Sequence, residues 1–159
     1  MASGASKSAA LALSILNILL YFIVIVMAAW AVNHGIQRSA QTASVLSTPA
    51  RIFPIFFPTG NMATGFFVIL SLIAGVVGFA TSLTTAQYII QGTVSSLYSA
   101  AASALSAWSI TLLAMGLACK EIHLGWTDSS LRTLETFVIL LGGTQLFCTI
   151  AIHAAAEEA

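Results

Sequence analysis

Charge is what this sequence lacks. Of its 159 residues only five are Lys/Arg and five Asp/Glu, while 58% are hydrophobic and the mean hydropathy is +0.98. A soluble domain carries about 25% charged residues, so this chain has too little polar surface to cover a globule in water. An ordinary soluble enzyme and a disordered segment are both excluded. The balanced charge also leaves no basic patch to neutralise phosphates, which excludes a nucleic-acid partner. Cysteine is scarce: Cys119 and Cys148 form no CxxC and sit on no exposed loop, so neither a disulfide framework nor a metal site is expected. There is no Asn-x-Ser/Thr acceptor, no GxSxG, Walker loop or HExxH, and no carboxylate pair placed for catalysis. The expectation is a protein that is not an enzyme and carries no cofactor and no metal.

What is present is apolar sequence in blocks. The charges fall at Lys7, Arg38, Arg51, Lys120, Glu121, Asp128, Arg132, Glu135, Glu157 and Glu158, with long uncharged gaps between them. A spanning helix needs about 20 apolar residues. The gaps predict spans at about 9–31, 64–83, 98–118 and 134–154. The fold class is therefore an all-α membrane protein: one four-span domain, a compact bundle with an irregular first loop. Ser82–Leu97, polar but uncharged, reads as a connecting loop held at the membrane surface by Tyr88, Ile89 and Ile90. Lys7 and Ala29-Trp30-Ala31 have features of a signal peptide, but a signal's apolar core runs about 7–15 residues and this stretch is longer, which favours a retained span. Arg38, Arg51, Lys120 and Arg132 in the first and third loops favour those loops on the cytosolic side. The common habit of four-span plasma-membrane proteins, both termini inside, points the other way.

Lipid supplies no hydrophobic drive between helices, so small residues must let them approach. Ser71 with Gly75, Ala74 with Gly78 and Ser82, and Ser99, Ser103, Ala107 and Thr111 form stripes at every fourth position. These predict helix contacts within the chain or in a homo-oligomer. Two polar stripes accompany them: Ser14, Asn17 and Tyr21 on the first span, and Gln145, Thr149 and His153 on the fourth. An amide in hydrocarbon needs a partner, so both stripes are expected to face the bundle interior. They serve either as inter-helix hydrogen bonds that fix register or as the lining of a solute path.

The first loop contains Pro49, Pro54 and Pro58, which forbid a regular helix, and Phe53, Ile55, Phe56 and Phe57, which are too apolar for a free aqueous loop. Arg51 stands among them. A guanidinium takes a carboxylate and aromatic rings take an apolar body, so the segment suits a small amphipathic acid. An aromatic membrane anchor with a snorkelling arginine is the plainer reading. In the third loop Asp128 is placed to N-cap a helix beginning at Ser129, Arg132 and Glu135 can pair at i, i+3, and Trp126, like Trp30, suits an interface.

Several ordered segments resemble the plant AWPM-type family of abscisic-acid-induced plasma-membrane polypeptides. They are the opening ASGASKSAALAL from Ala2, NHGI from Asn33, PARIFPI from Pro49, FPTGNMATGFFVI from Phe57, SLIAGVVG from Ser71, LLAMG from Leu112, ACKEI from Ala118 and GWTDSSLRTLE from Gly125. The resemblance implies a four-span plasma-membrane protein tied to abscisic acid, seed maturation, drought and cold, and to abscisic-acid uptake. It transfers no catalytic motif. If abscisic acid is the ligand, Arg51 and then Arg38 are candidates for its carboxylate and Phe53, Phe56 and Phe57 for its ring. Asn17, Tyr21, Gln145 and His153 are candidates for an intramembrane route. Expected partners are membrane lipids, abscisic acid and a second copy of the chain. The rival reading is a structural or regulatory tetraspan protein that stabilises the membrane or assists a separate transporter.

Overall fold

A computed structural model describes residues 2–45, 62–124 and 129–158, with side chains placed over 4–37, 63–123 and 129–158. Each described stretch is helical: α1 spans Ala2–Val45, α2 Met62–Gln91, α3 Val94–Leu124 and α4 Ser129–Glu157. No proline interrupts them. In hydrocarbon a helix is the form that satisfies every backbone group within the segment, and each helix contains a stretch long and apolar enough to cross a membrane. The helices overrun the predicted spans. At about 1.5 Å per residue α1 alone is roughly 66 Å long, twice a hydrocarbon core of about 30 Å.

The predicted loop at Ser82–Leu97 is corrected. Helix α2 continues to Gln91 and α3 begins at Val94, leaving only Gly92 and Thr93 outside helix. The polar residues misled because their hydroxyls bond to their own helix. Thr84 Oγ1 donates to the Ala80 carbonyl (3.0 Å), as Thr81 Oγ1, just before the segment, does to that of Val77 (2.8 Å). The reversal itself is compact. Gly92 takes φ +68°, a left-handed conformation suited to glycine at a helix C-terminus. Thr93 Oγ1 accepts the Ser96 N–H (3.2 Å) as an N-cap for α3. Lys7 Nζ reaches the Gly92 carbonyl (3.5 Å), placing a cation at the negative end of α2.

The helices form a closed ring in chain order: α1 packs on α2, α2 on α3, α3 on α4, and α4 on α1. On each helix one row of buried positions keeps a single spacing, with further buried residues such as Leu20, Phe67, Ala74, Ala101 and Thr149 beside it. On α1 they are Ala10, Ser14, Asn17, Tyr21, Val24 and Ala28; on α2 Thr64, Val68, Ser71, Gly75, Gly78, Ser82, Thr85 and Ile89. On α3 they are Ala100, Ala104, Ala107, Thr111, Ala114, Ala118 and Glu121; on α4 Leu134, Val138, Leu141, Gln145, Cys148, Ile152 and Ala155. The spacing alternates between four and three throughout. That is the 3.5-residue repeat of left-handed bundles, whose helices cross at about 20°. On α3 the seam is mostly alanine, which brings its backbone close to both neighbours. The outer faces are large and apolar, as Leu19, Phe22, Val26, Phe66, Ile69, Val76, Phe147 and Ile150 show.

The small residues of α2 and α3 lie at contacts inside this ring. A Cβ added at Gly75 would stand 2.9 Å from Ile25 Cγ1, and one added at Gly78 would overlap the Tyr21 ring. Ser71 is fully buried, Ser103 shares a hydrogen bond with Thr85 (3.0 Å), and Ala107 is buried on the α3 seam. Ser99, at the start of that stripe, is exposed. Trp108 Nε1 donates to the Gly142 carbonyl across the α3–α4 contact (3.1 Å). The expected cap at Asp128, the anchor Trp126 and the proline-aromatic first loop fall outside the described residues.

Candidate functional site

Two polar clusters and one groove carry whatever chemistry the described bundle has. The first cluster lies midway along the seam. Asn17 Nδ2 donates to Gln145 Oε1 (2.7 Å), and Gln145 Nε2 donates to the Ala104 carbonyl (3.1 Å), so two amides tie α1, α4 and α3 together. One helical turn along, the Tyr21 hydroxyl meets Thr111 Oγ1 (2.8 Å) across the diagonal from α1 to α3. Thr111 spends its own proton on the Ala107 carbonyl (2.8 Å), so Tyr21 is the donor. Ser14 Oγ donates to the Ser82 carbonyl (3.0 Å) on α2. Asn17 Oδ1, Ser71 Oγ and Ser82 Oγ are buried without a partner.

The predicted stripe on the fourth span is only partly internal. Gln145 and Thr149 are buried, but His153 is exposed, which corrects the expectation that all three face inward. Eight residues at 3.6 per turn rotate a side chain by about 80°, enough to carry His153 off the seam. Arg51, Phe53, Phe56 and Phe57 lie outside the described residues. Arg38 belongs to the far part of α1, beyond the described side chains.

The second cluster was not anticipated. Glu121, assigned by its charge to the third loop, is 2% exposed in the last turn of α3. Thr64 Oγ1 of α2 donates to its Oε2 (2.7 Å), and its Oε1 has no partner. Glu135 of α4, 7% exposed, feels the charge of both Glu121 and Arg132. The signal was in the sequence. Glu121 continues the spacing of Ala107, Thr111, Ala114 and Ala118, and so falls on the buried seam.

The groove lies at the same end of the bundle, between α1 and α4. Val26, Met27, Trp30, Ala31, Ser130 and Leu134 line a space of about 290 Å³. Trp30 stacks on His34, with ring centroids 5.2 Å apart and planes within 6°. The lining is apolar but for Ser130.

Four apolar helices, packed along a seam of small and mutually bonded polar residues, define a multi-pass membrane protein. The chain belongs to the AWPM-19-like family, whose pattern it matches over residues 15–155. It is similar to the membrane protein PM19L of rice, Oryza sativa subsp. japonica. The two are 40% identical over 152 residues, covering 95% of this chain and 80% of the rice protein. No solved structure matches it.

Proposed function

We propose that this protein resides in the plant plasma membrane and facilitates the uptake of abscisic acid in seed and stress responses. Membership of the AWPM-19-like family carries the reading, since the resemblance ties that family to abscisic acid. The ligand is a small carboxylic acid with an apolar ring. Its carboxyl, with a reference pKa of about 4, is ionised at neutral pH. A carrier must offer the anion a cation and the ring an apolar surface. The groove beside Trp30 supplies apolar surface, and Arg38 and Arg51 follow it in the chain toward the first loop.

The bundle interior favours a route at the surface of the ring over one through its middle. Asn17 Nδ2 donates to Gln145 and Gln145 Nε2 to the Ala104 carbonyl, so both amide groups donate within the bundle. Movement along the α1–α4 groove, or between copies in a homo-oligomer, suits this packing. The same observation supports a second reading, in which the protein stabilises the plasma membrane or assists a separate transporter. Purified protein in liposomes with labelled abscisic acid separates the two. Saturable, protein-dependent uptake is the expected result. Uptake equal to that of empty liposomes, with insertion verified, favours the structural role.

A further inference from the structure

The groove between α1 and α4 is a space that the bundle leaves open to the lipid. Its lining divides by depth. Val26, Met27 and Leu134 lie toward the middle of the helices, and Trp30, Ala31 and Ser130 toward the end where α1 leaves its span and α4 enters its own. Val26 and Trp30 are half exposed, so the groove is continuous with the outer apolar face. The side-chain polar groups of the lining are the Trp30 indole N–H and the Ser130 hydroxyl, both on residues of the outer end. An occupant therefore meets hydrocarbon on the deep side and hydrogen-bonding groups at the level of the lipid headgroups.

Charge decides among the lipids. Among the described residues no charged side chain lines the groove. On α4, Glu135 follows Leu134 but is buried in the bundle, 7% exposed. Arg132 is exposed, and at 100° per residue it lies about 200° around the helix from Ser130, on another face. An anionic headgroup calls for a cation and a zwitterionic one for charges of both signs. A head that is a lone hydroxyl needs neither, because it donates and accepts as the Ser130 hydroxyl does.

Shape decides the body. The Trp30 ring is held against His34, with centroids 5.2 Å apart and planes within 6°. It presents a fixed flat wall, and Ala31 beside it takes up little space. A rigid ring system loses less conformational freedom on such a wall than an acyl chain does. At about 290 Å³ the space is at the small end of ligand pockets, roughly 300–1,000 Å³. It holds the rings next to the head, and the rest of the molecule lies along the Val26 side in the bilayer.

We propose that the groove is a binding site for a sterol, a neutral lipid with a rigid ring body and a single hydroxyl. The sterol hydroxyl bonds to Ser130, and the rings lie against Trp30, Met27 and Leu134. The site is independent of the uptake reading, since it holds a membrane lipid whether the protein carries a solute or organises the bilayer.

Energy transfer from tryptophan to dehydroergosterol, a fluorescent sterol, tests the site in phosphatidylcholine nanodiscs with no other ligand present. The parent should show transfer above that of a random sterol distribution, saturating with sterol content and reversed by cholesterol. Ala31→Leu fills the groove and should weaken the association roughly tenfold, the equivalent of about two buried methylene groups. Ser130→Ala should weaken it by about two- to tenfold, the effect of one hydrogen bond. Ile69→Leu, on the exposed face of α2, should change nothing. Transfer no greater than random overturns the proposal, and so does excess transfer that survives both Ala31→Leu and Ser130→Ala. If Ala31→Leu does not fold, Ser130→Ala decides: weaker association supports the site, and unchanged association overturns it. Stronger tryptophan quenching by brominated phosphatidylglycerol than by brominated phosphatidylcholine, abolished in Ala31→Leu, would assign the groove to an anionic phospholipid and overturn the sterol.

Discussion

The Tyr21 ring of α1 lies on Gly78 of α2 with no room for a side chain between them. The ring cannot swing aside freely, because its hydroxyl is bonded to Thr111 on the opposite helix. Replacing Gly78 with alanine should therefore destabilise the bundle by about 1–3 kcal/mol, the usual cost of overpacking. Gly143→Ala is the control, since nothing lies within 4 Å of a Cβ there. It should be neutral, or stabilising by up to about 1 kcal/mol from helix propensity. Thermal unfolding of both variants in one detergent checks the contrast.

The Asn17–Gln145 pair is expected to act as a register lock. A double-mutant cycle with Asn17→Leu and Gln145→Leu should give a coupling of about 0.6 kcal/mol, typical of such bonds in membranes. Total uptake of abscisic acid should follow the amount of folded protein. Uptake lost from variants whose stability is intact would instead assign these amides to a solute path.

Gly92 should tolerate few replacements. At φ +68° a β-branched residue meets its own carbonyl, so Gly92→Val should cost at least the roughly 1–2 kcal/mol of a left-handed residue. Gly92→Asn should cost less, because asparagine visits that region more readily. Unfolding midpoints rank the pair.

Arg51→Ala is expected to reduce abscisic-acid uptake more than Arg132→Ala does. Arg132 interacts with Glu135 on its own helix, so its charge is less available to a ligand. Arg51→Lys should restore only part of the activity, because an ammonium lacks the planar fork that matches a carboxylate. Uptake per surface-exposed molecule is the measurement. Equal uptake by Arg51→Ala and the parent reduces that arginine to a membrane anchor.

The spans were legible because uncharged gaps between Lys7, Arg38, Arg51, Lys120, Glu135 and Glu157 leave few other arrangements. The seam was harder to read, since the face turned to lipid is as apolar as the core and hydrophobic periodicity fades. Small residues mark it instead: a Cβ added at Gly75 or Gly78 would crowd Ile25 or Tyr21 of α1. The loop reading of Ser82–Leu97 fails because a hydroxyl such as that of Thr84 looks like a turn residue's until its bond to the preceding helical turn is seen. Glu121 was hidden by its neighbours. Lys120 and His123 made the segment look solvated, though three-four spacing from Ala114 and Ala118 turns that one residue inward. Of the predicted ligand residues, the structure brings Asn17 to Gln145, sets Tyr21 apart on Thr111 and leaves His153 outside.

The two-residue junction between α2 and α3 fixes one end of the bundle tightly. At that end Lys7 holds the Gly92 carbonyl and Ser6 holds Glu158, so all four helices are clasped together. At the other end, among the described residues, Thr64 of α2 bonds to Glu121 of α3 (2.7 Å). With Gly92 taken as a fulcrum, Trp30, Glu121 and Glu135 lie at the far end of the helices. Any rigid-body spreading of the helices about the fulcrum grows with distance from it. It would widen the groove and expose the acidic pair in a single stroke, while the amide lock halfway along moved least of the three.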